Sequence, residues 1–130
     1  MQKLSKKKFE LKCEELGIAS KQSMFFKTGF FQKFGCSPFC SVHSIGTAAK
    51  SATKLKSSFQ TLCQNEKGYI AQSTNILLYL NIDEKFPFLI VQEMMQTLQN
   101  HTSEESNIAL DVKYQKETED AIVYVFFEIG

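Results

Sequence analysis

The sequence predicts an α+β domain of two layers, a small mixed four-stranded sheet packed with helices, and three observations predict it. Strand-like and helix-like apolar periods alternate from residue 37 onward. The chain then closes in two strand-like segments separated by the polar stretch "QKETED". Finally, 130 residues with 43% hydrophobic content suffice for one core, so residues 1–130 are read as a single domain. Residues 1–36 form a helical N-terminal segment and residues 37–130 the α+β core, with no repeat or low-complexity linker between them.

Ser5 is placed to cap a first helix, Leu4 to staple onto Phe9, and Gly17 to stop it, with Phe9, Cys13 and Leu16 as its apolar stripe. "MFFKTGFFQKFG" follows. Phe26, Phe30 and Phe34 recur there once per helical turn, predicting a second helix despite Gly29. "SPFCSVHSIG" opens with the proline expected at a strand start and runs to Gly46. From Thr47 as cap, Ala48, Ala52, Leu55, Phe59 and Leu62 make one helix face, with Lys50, Lys54 and Lys56 off it. Ile76 to Leu80 are apolar on both faces, which predicts a central strand. Pro87 suits the first turn of the next helix, whose face is read as Phe88, Val91, Met95 and Leu98. Ile108, Leu110, Val112 and Tyr114 alternate with Ala109, Asp111 and Lys113, as in a strand with one wet face, and Ile122 to Ile129 form the last strand.

The net charge of +1 gives no global drive toward nucleic acid or acidic membrane, although Lys3, Lys6, Lys7 and Lys8 make a local basic arm. No apolar run reaches the roughly 18 residues of a membrane span, and no signal core follows the basic start, so a cytoplasmic protein is expected. Cys13, Cys36, Cys40 and Cys63 are then read as reduced thiols.

Cys36, Cys40 and His43 are the residue types that bind zinc, but on a strand Cys40 and His43 point to opposite faces. Buried thiols and a satisfied histidine are the preferred reading, and no metal or cofactor is expected. A Cys–His nucleophile has no local sequence aiming a base at a thiol, and the carboxylate pairs Asp83–Glu84 and Glu104–Glu105 read as solvated turn charges. The phenylalanines interleaved with Lys21, Lys27 and Lys33 allow base stacking or membrane insertion, yet phenylalanine at helical spacing is more often core. Neither G-x-x-x-x-G-K-[ST] nor G-x-G-x-x-G occurs, so the chain encodes neither of these phosphate-binding motifs.

The stretch "NILLYLNIDEKFPFLIVQEMMQTLQN" resembles the C-terminal domain of FtsZ, the bacterial tubulin homologue of cell division. Ile76 to Leu80 resembles that family's aliphatic strand, Asn81 to Phe86 its turn, and Phe88 to Leu98 its amphipathic helix, with Glu93 at a matching glutamate. "HSIGTAAKSATKLKSSFQTL" is similar to the preceding strand and small-residue helix, and "NIALDVKYQ" with "AIVYVFFEIG" to the closing hairpin. The likeness covers about residues 39 to 130, in pattern more than in identity. The family's turn is commonly glycine-rich, whereas this one reads Ile82-Asp83-Glu84-Lys85. The GTP-binding half is absent, and residues 17–24 hold no carboxylate where the family's catalytic loop would lie. The resemblance therefore implies a non-enzymatic, FtsZ- or tubulin-like domain acting through protein contacts in a division or cytoskeletal assembly, with FtsZ-like subunits as partners; a longer parent could be a GTPase. Contact residues are expected at Ser20, Lys21, Phe25 and Phe26 and at Asp83, Glu84 and Lys85. A competing reading is an unrelated binding module using the basic arm and the phenylalanines on nucleic acid or membrane, with a thiol- or metal-dependent enzyme behind it.

Overall fold

The computed structural model describes residues 2–17, 41–116 and 119–129. In chain order these form β1 (Gln2–Leu4), α1 (Lys6–Leu16), β2 (Ser41–Ala49), α2 (Ala52–Asn65), α3 (Lys67–Ala71), β3 (Ser73–Asp83), α4 (Phe88–His101), β4 (Asn107–Gln115) and β5 (Ala121–Ile129). The strands make one mixed sheet in the order β1-β2-β5-β3-β4. Among the described residues only β3 and β4 pair in parallel, and the helical crossover that such a pair requires is α4.

The α+β class with a mixed, helix-packed sheet is thus what the structure shows, with one correction: among the described residues the sheet has five strands, not four. The extra strand is β1, whose three residues pair antiparallel with Val42–Ser44. Tertiary pairing alone makes it a strand, since "QKL" is too short to carry a period.

Period-two alternation assigns each strand residue to a face. Ile76, Leu78, Leu80 and Ile82 of β3 join Val123, Val125 and Phe127 of β5 and Ile45 of β2 in the main core. Leu55, Phe59 and Cys63 of α2, Ile70 of α3, and Val91, Met94 and Leu98 of α4 close over them. The opposite face holds a smaller cluster of Leu77, Tyr79, Phe126, Val42 and Leu4, covered by Phe9 and Cys13 of α1. Phe9 meets Phe126 edge-on, with ring centroids 5.6 Å apart.

The first helix forms as expected. Ser5 accepts a hydrogen bond from the Lys8 amide at 3.2 Å, and Gly17, at φ 75°, supplies the left-handed cap whose N–H reaches the Cys13 and Glu14 carbonyls. The start of α2 moves. β2 runs on through Thr47, Ala48 and Ala49, which pair with Val123, Ile122 and Ala121, so the cap is Ser51, accepting from the Lys54 amide at 3.2 Å, instead of Thr47. The buried stripe of α2 is Leu55, Phe59 and Cys63, with Leu62 half-buried. β3 is also longer than its apolar heart and takes in Asn81, Ile82 and Asp83, which the sequence suggested as turn. The phenylalanine helix and the strand start at Pro38 lie outside the described residues.

Candidate protein-contact surface

Parallel pairing brings three chain segments to one end of the sheet. β3 ends at Asp83 opposite Gln115, and Ile82 lies opposite Tyr114. Asp83 then folds the chain over: its Oδ1 accepts from the Lys85 amide at 2.7 Å and its carbonyl from the Phe86 amide at 3.1 Å. A short carboxylate bonded two residues ahead is a local turn-former, which explains how an acidic turn does the work of a glycine. Pro87 follows at φ −62°, its carbonyl accepting from Ile90 at 3.1 Å as α4 begins.

Phe86, half-buried, packs against the main core at this end. Phe88 is therefore not on the buried face, contrary to the sequence reading, but 68% exposed, and Leu89 beside it is 63% exposed. The helix buries Val91, Met94 and Leu98 instead, with Met95 half-buried. Tyr114, at the matching end of β4, is 64% exposed. Asp83, Glu84 and Lys85 are thus gathered with Phe88, Leu89 and Tyr114 at one end of the molecule. The start of α4 is braced by an ion pair between Glu93 and Lys56 of α2, so Glu93 is an inter-helix tie and not a freely solvated charge.

The other expected site residues are dispersed or lie elsewhere. Ser20, Lys21, Phe25, Phe26, Cys36 and Cys40 lie outside the described residues. His43 is buried on the main-core face, its ring stacked on Phe127 at 5.6 Å and tilted toward Tyr69 at 5.8 Å. Burial foremost, then the Lys3 ammonium, lowers its pKa against an opposing pull from Glu66. Cys63 lies in the main core, where desolvation pushes its thiol up to about 12, so it is protonated at neutral pH. Among the described residues there is no cluster of three or more His, Cys, Asp or Glu side chains able to hold a metal ion. The basic arm is absorbed into structure: Lys3 sits in β1 and Lys6–Lys8 open α1, with Lys7 and Lys8 exposed.

On the α1 face, Tyr124 lies across Gly46, where a Cβ would stand 2.4 Å from the ring, and the Lys12 ammonium sits 4.6 Å from the centre of that ring. An open groove of about 510 Å³ runs along this part of β2, lined by Ser44, Gly46, Ala48, Ile122 and Tyr124 among others. Tyr124 is the one titratable side chain among its described lining residues. Tyr79 is buried beside Asp111, and its hydroxyl donates to the Leu16 carbonyl at 3.1 Å. Burial foremost, then the charge of Asp111, raises its pKa to about 12.

Sequence reasoning found the acidic turn but missed Phe88, Leu89 and Tyr114 as exposed. The available signal was the pair Phe88-Leu89 directly after Pro87: side chains in the first turn of a crossover helix project beyond the sheet end.

No family model matches the chain, and no curated protein sequence matches it. Among solved structures, the fold is similar to the empty FtsZ dimer of M. jannaschii, with a TM-score of 0.56 and 14% identity over 95% of this chain and 39% of that one. Thiamine monophosphate kinase of Aquifex aeolicus scores 0.49 at 10% identity, over 81% of this chain and 40% of that one. The GDP-form TubZ protofilament of Bacillus thuringiensis serovar israelensis scores 0.42 at 13% identity, over 68% of this chain and 25% of that one. This chain therefore spans 40% or less of the length of each of these three proteins. Among the described residues no helix is long and apolar enough to cross a membrane. At these identities the likeness is one of fold: this chain has an FtsZ-like α+β domain.

Proposed function

We propose that this chain is an FtsZ- or tubulin-like C-terminal domain, non-enzymatic by itself, that acts through protein contacts in a cytoskeletal or cell-division assembly. One observation carries the reading: in a fold similar to FtsZ, two adjacent large apolar side chains, Phe88 and Leu89, stand in solvent directly after the charged turn Asp83-Glu84-Lys85. Exposed apolar groups rimmed by charge are what a contact surface presents. Burying one such side chain is worth about 1.5–3 kcal/mol, so this pair could anchor an interface, while the turn charges would steer and orient it. The brace between Lys56 and Glu93 supports the surface by holding α4 against α2.

The partner we propose is an FtsZ-like subunit. Docked on such a subunit, the domain would occupy a contact without supplying a hydrolytic carboxylate, and the occupied end would stop growing. Adding the purified protein to a full-length FtsZ should then lower both light scattering by the polymer and phosphate release. Unchanged scattering and turnover at excess folded protein would sink the reading. Retention on heparin at moderate salt, together with that result, would move the assignment to the nucleic-acid or membrane module.

A further inference from the structure

We propose that the outer edge of β4 pairs with the same edge of a second copy of this chain, antiparallel and across a two-fold axis through Val112. β4 is the last strand of the sheet, and among the described residues no strand pairs with its outer edge. It pairs with β3 over nine consecutive positions, Asn75–Asp83 against Asn107–Gln115, without a register shift. That is a long and regular edge. Edge strands are ordinarily blunted by shortness, bulges, proline or charge; β4 is long, regular and free of proline, and its charges are Asp111 and Lys113. At the opposite side of the sheet, β1 is only three residues long and carries Lys3.

The side chains of β4 say which partner fits. On the α4 face, Ile108, Leu110 and Val112 are half-buried and Tyr114 is exposed, an apolar row left incompletely covered. On the other face lie Asp111, buried beside Tyr79, and Lys113, exposed, of opposite charge and one on each side of Val112. An antiparallel two-fold axis at Val112 sets Lys113 against Asp111 of the partner subunit, and does so twice. The same axis sets Tyr114 against Leu110 of the partner subunit, also twice. Opposite charges and aromatic–aliphatic pairs directly opposed are the stabilising combinations of an antiparallel ladder, and opposed like charges are destabilising. Moving the axis one residue either way destroys the match: at Asp111 it opposes two aspartates, and at Lys113 two lysines. At Leu110 it leaves Asp111 against alanine and Lys113 against asparagine. The strand is self-complementary in one register, which is the requirement for an isologous interface.

The test uses the purified chain alone and does not depend on the functional reading above. Sedimentation across a wide concentration range should show a monomer–dimer equilibrium. Lys113→Glu and Tyr114→Lys change exposed side chains, so both variants should keep the wild-type circular dichroism while weakening the dimer about tenfold or more. A second measurement reads the register. Cβ atoms directly opposed in an antiparallel pair lie about 4.5–5.5 Å apart, close to disulfide reach. Under oxidation Val112→Cys should form a covalent dimer well above the wild-type background of native cysteines, and Leu110→Cys should not. A chain monomeric at every concentration, a dimer indifferent to both edge variants, or cross-linking as efficient through Leu110→Cys as through Val112→Cys would overturn the proposal.

Discussion

The two faces of the sheet are built on different principles. The face under α2, α3 and α4 is apolar through its centre, with the buried His43 stacked on Phe127 toward one side: Ile76, Leu78 and Leu80 are fully buried, as are Val123 and Phe127, and Leu55, Phe59, Met94 and Leu98 close over them without exposed area. The face under α1 mixes apolar and polar rows. Asn107, Asn75 and Glu128 lie side by side across β4, β3 and β5, with Asn107 Nδ2 donating to Asn75 Oδ1 at 3.3 Å and Asn75 Nδ2 to Glu128 Oε1 at 3.1 Å. Leu77 and Phe126 occupy the next row, and Asp111, Tyr79 and Tyr124 the one after. The first face is held by non-directional burial, so its stability follows area. The second is held by specific geometry: a glycine under a ring, a phenol on a helix-end carbonyl, a carboxylate on an amide. The difference teaches where substitutions are costly and where they are selective.

The largest effect should come from the first face. Leu55→Asp places a carboxylate among fully buried apolar groups and should cost several kcal/mol, enough to abolish the cooperative melting transition. Wild-type melting of that variant would mean the face is misassigned. Phe59→Ala should be next, at about 3–5 kcal/mol in urea unfolding, because it leaves a cavity between α2 and the strands β2 and β5. On the second face Gly46→Ala forces the Tyr124 ring to move and should cost about 1–3 kcal/mol. Here the selectivity is testable: in the Tyr124→Ala background the same change should cost clearly less, the close contact left being the Val123 carbonyl at 3.1 Å, and additive costs in that double-mutant cycle would contradict the close packing.

Tyr79→Phe should be smaller, about 1 kcal/mol, since it removes one hydrogen bond to the end of α1 and keeps the ring. Its pH dependence has a defined sign. The folded-state pKa of about 12 lies above the ordinary phenol value of 10, so Tyr79 contributes its stability fully below pH 10 and loses it as the pH rises toward 12. Wild type should therefore lose stability over that interval more steeply than Tyr79→Phe, and identical alkaline profiles would refute the assignment. The smallest effect belongs to Lys56→Ala: the pair with Glu93 is partly exposed, so roughly 0.5 kcal/mol is expected, decreasing in high salt.

The same contrast explains what the sequence made legible. β3 was readable because Ile76 to Leu80 are apolar on both faces, and α1 because Ser5, Leu4, Phe9 and Gly17 each act locally. Leu55 and Phe59 were readable for the same reason: periodicity reports burial directly. Ala48 and Ala49 misled, because alanine favours helix and only their pairing with Ile122 and Ala121 holds them in β2. β1 carried no pattern at all. The turn at Asp83 could be located, but the exposure of Phe88 could not, because it depends on where the sheet ends and on Phe86 filling the last core position. The polar rows of the α1 face were equally hidden, since Asn75, Asn107 and Glu128 are neighbours only through register.

The central functional claim is that this domain binds an FtsZ-like subunit through the start of α4. Sedimentation velocity of the labelled chain with a full-length FtsZ, comparing wild type with Phe88→Ser/Leu89→Ser, tests it most directly. Both residues are exposed, so the variant should fold as wild type does. The account predicts a complex for the wild type and at least about tenfold weaker binding for the double variant. No complex with the wild type, or equal binding by both, would contradict it.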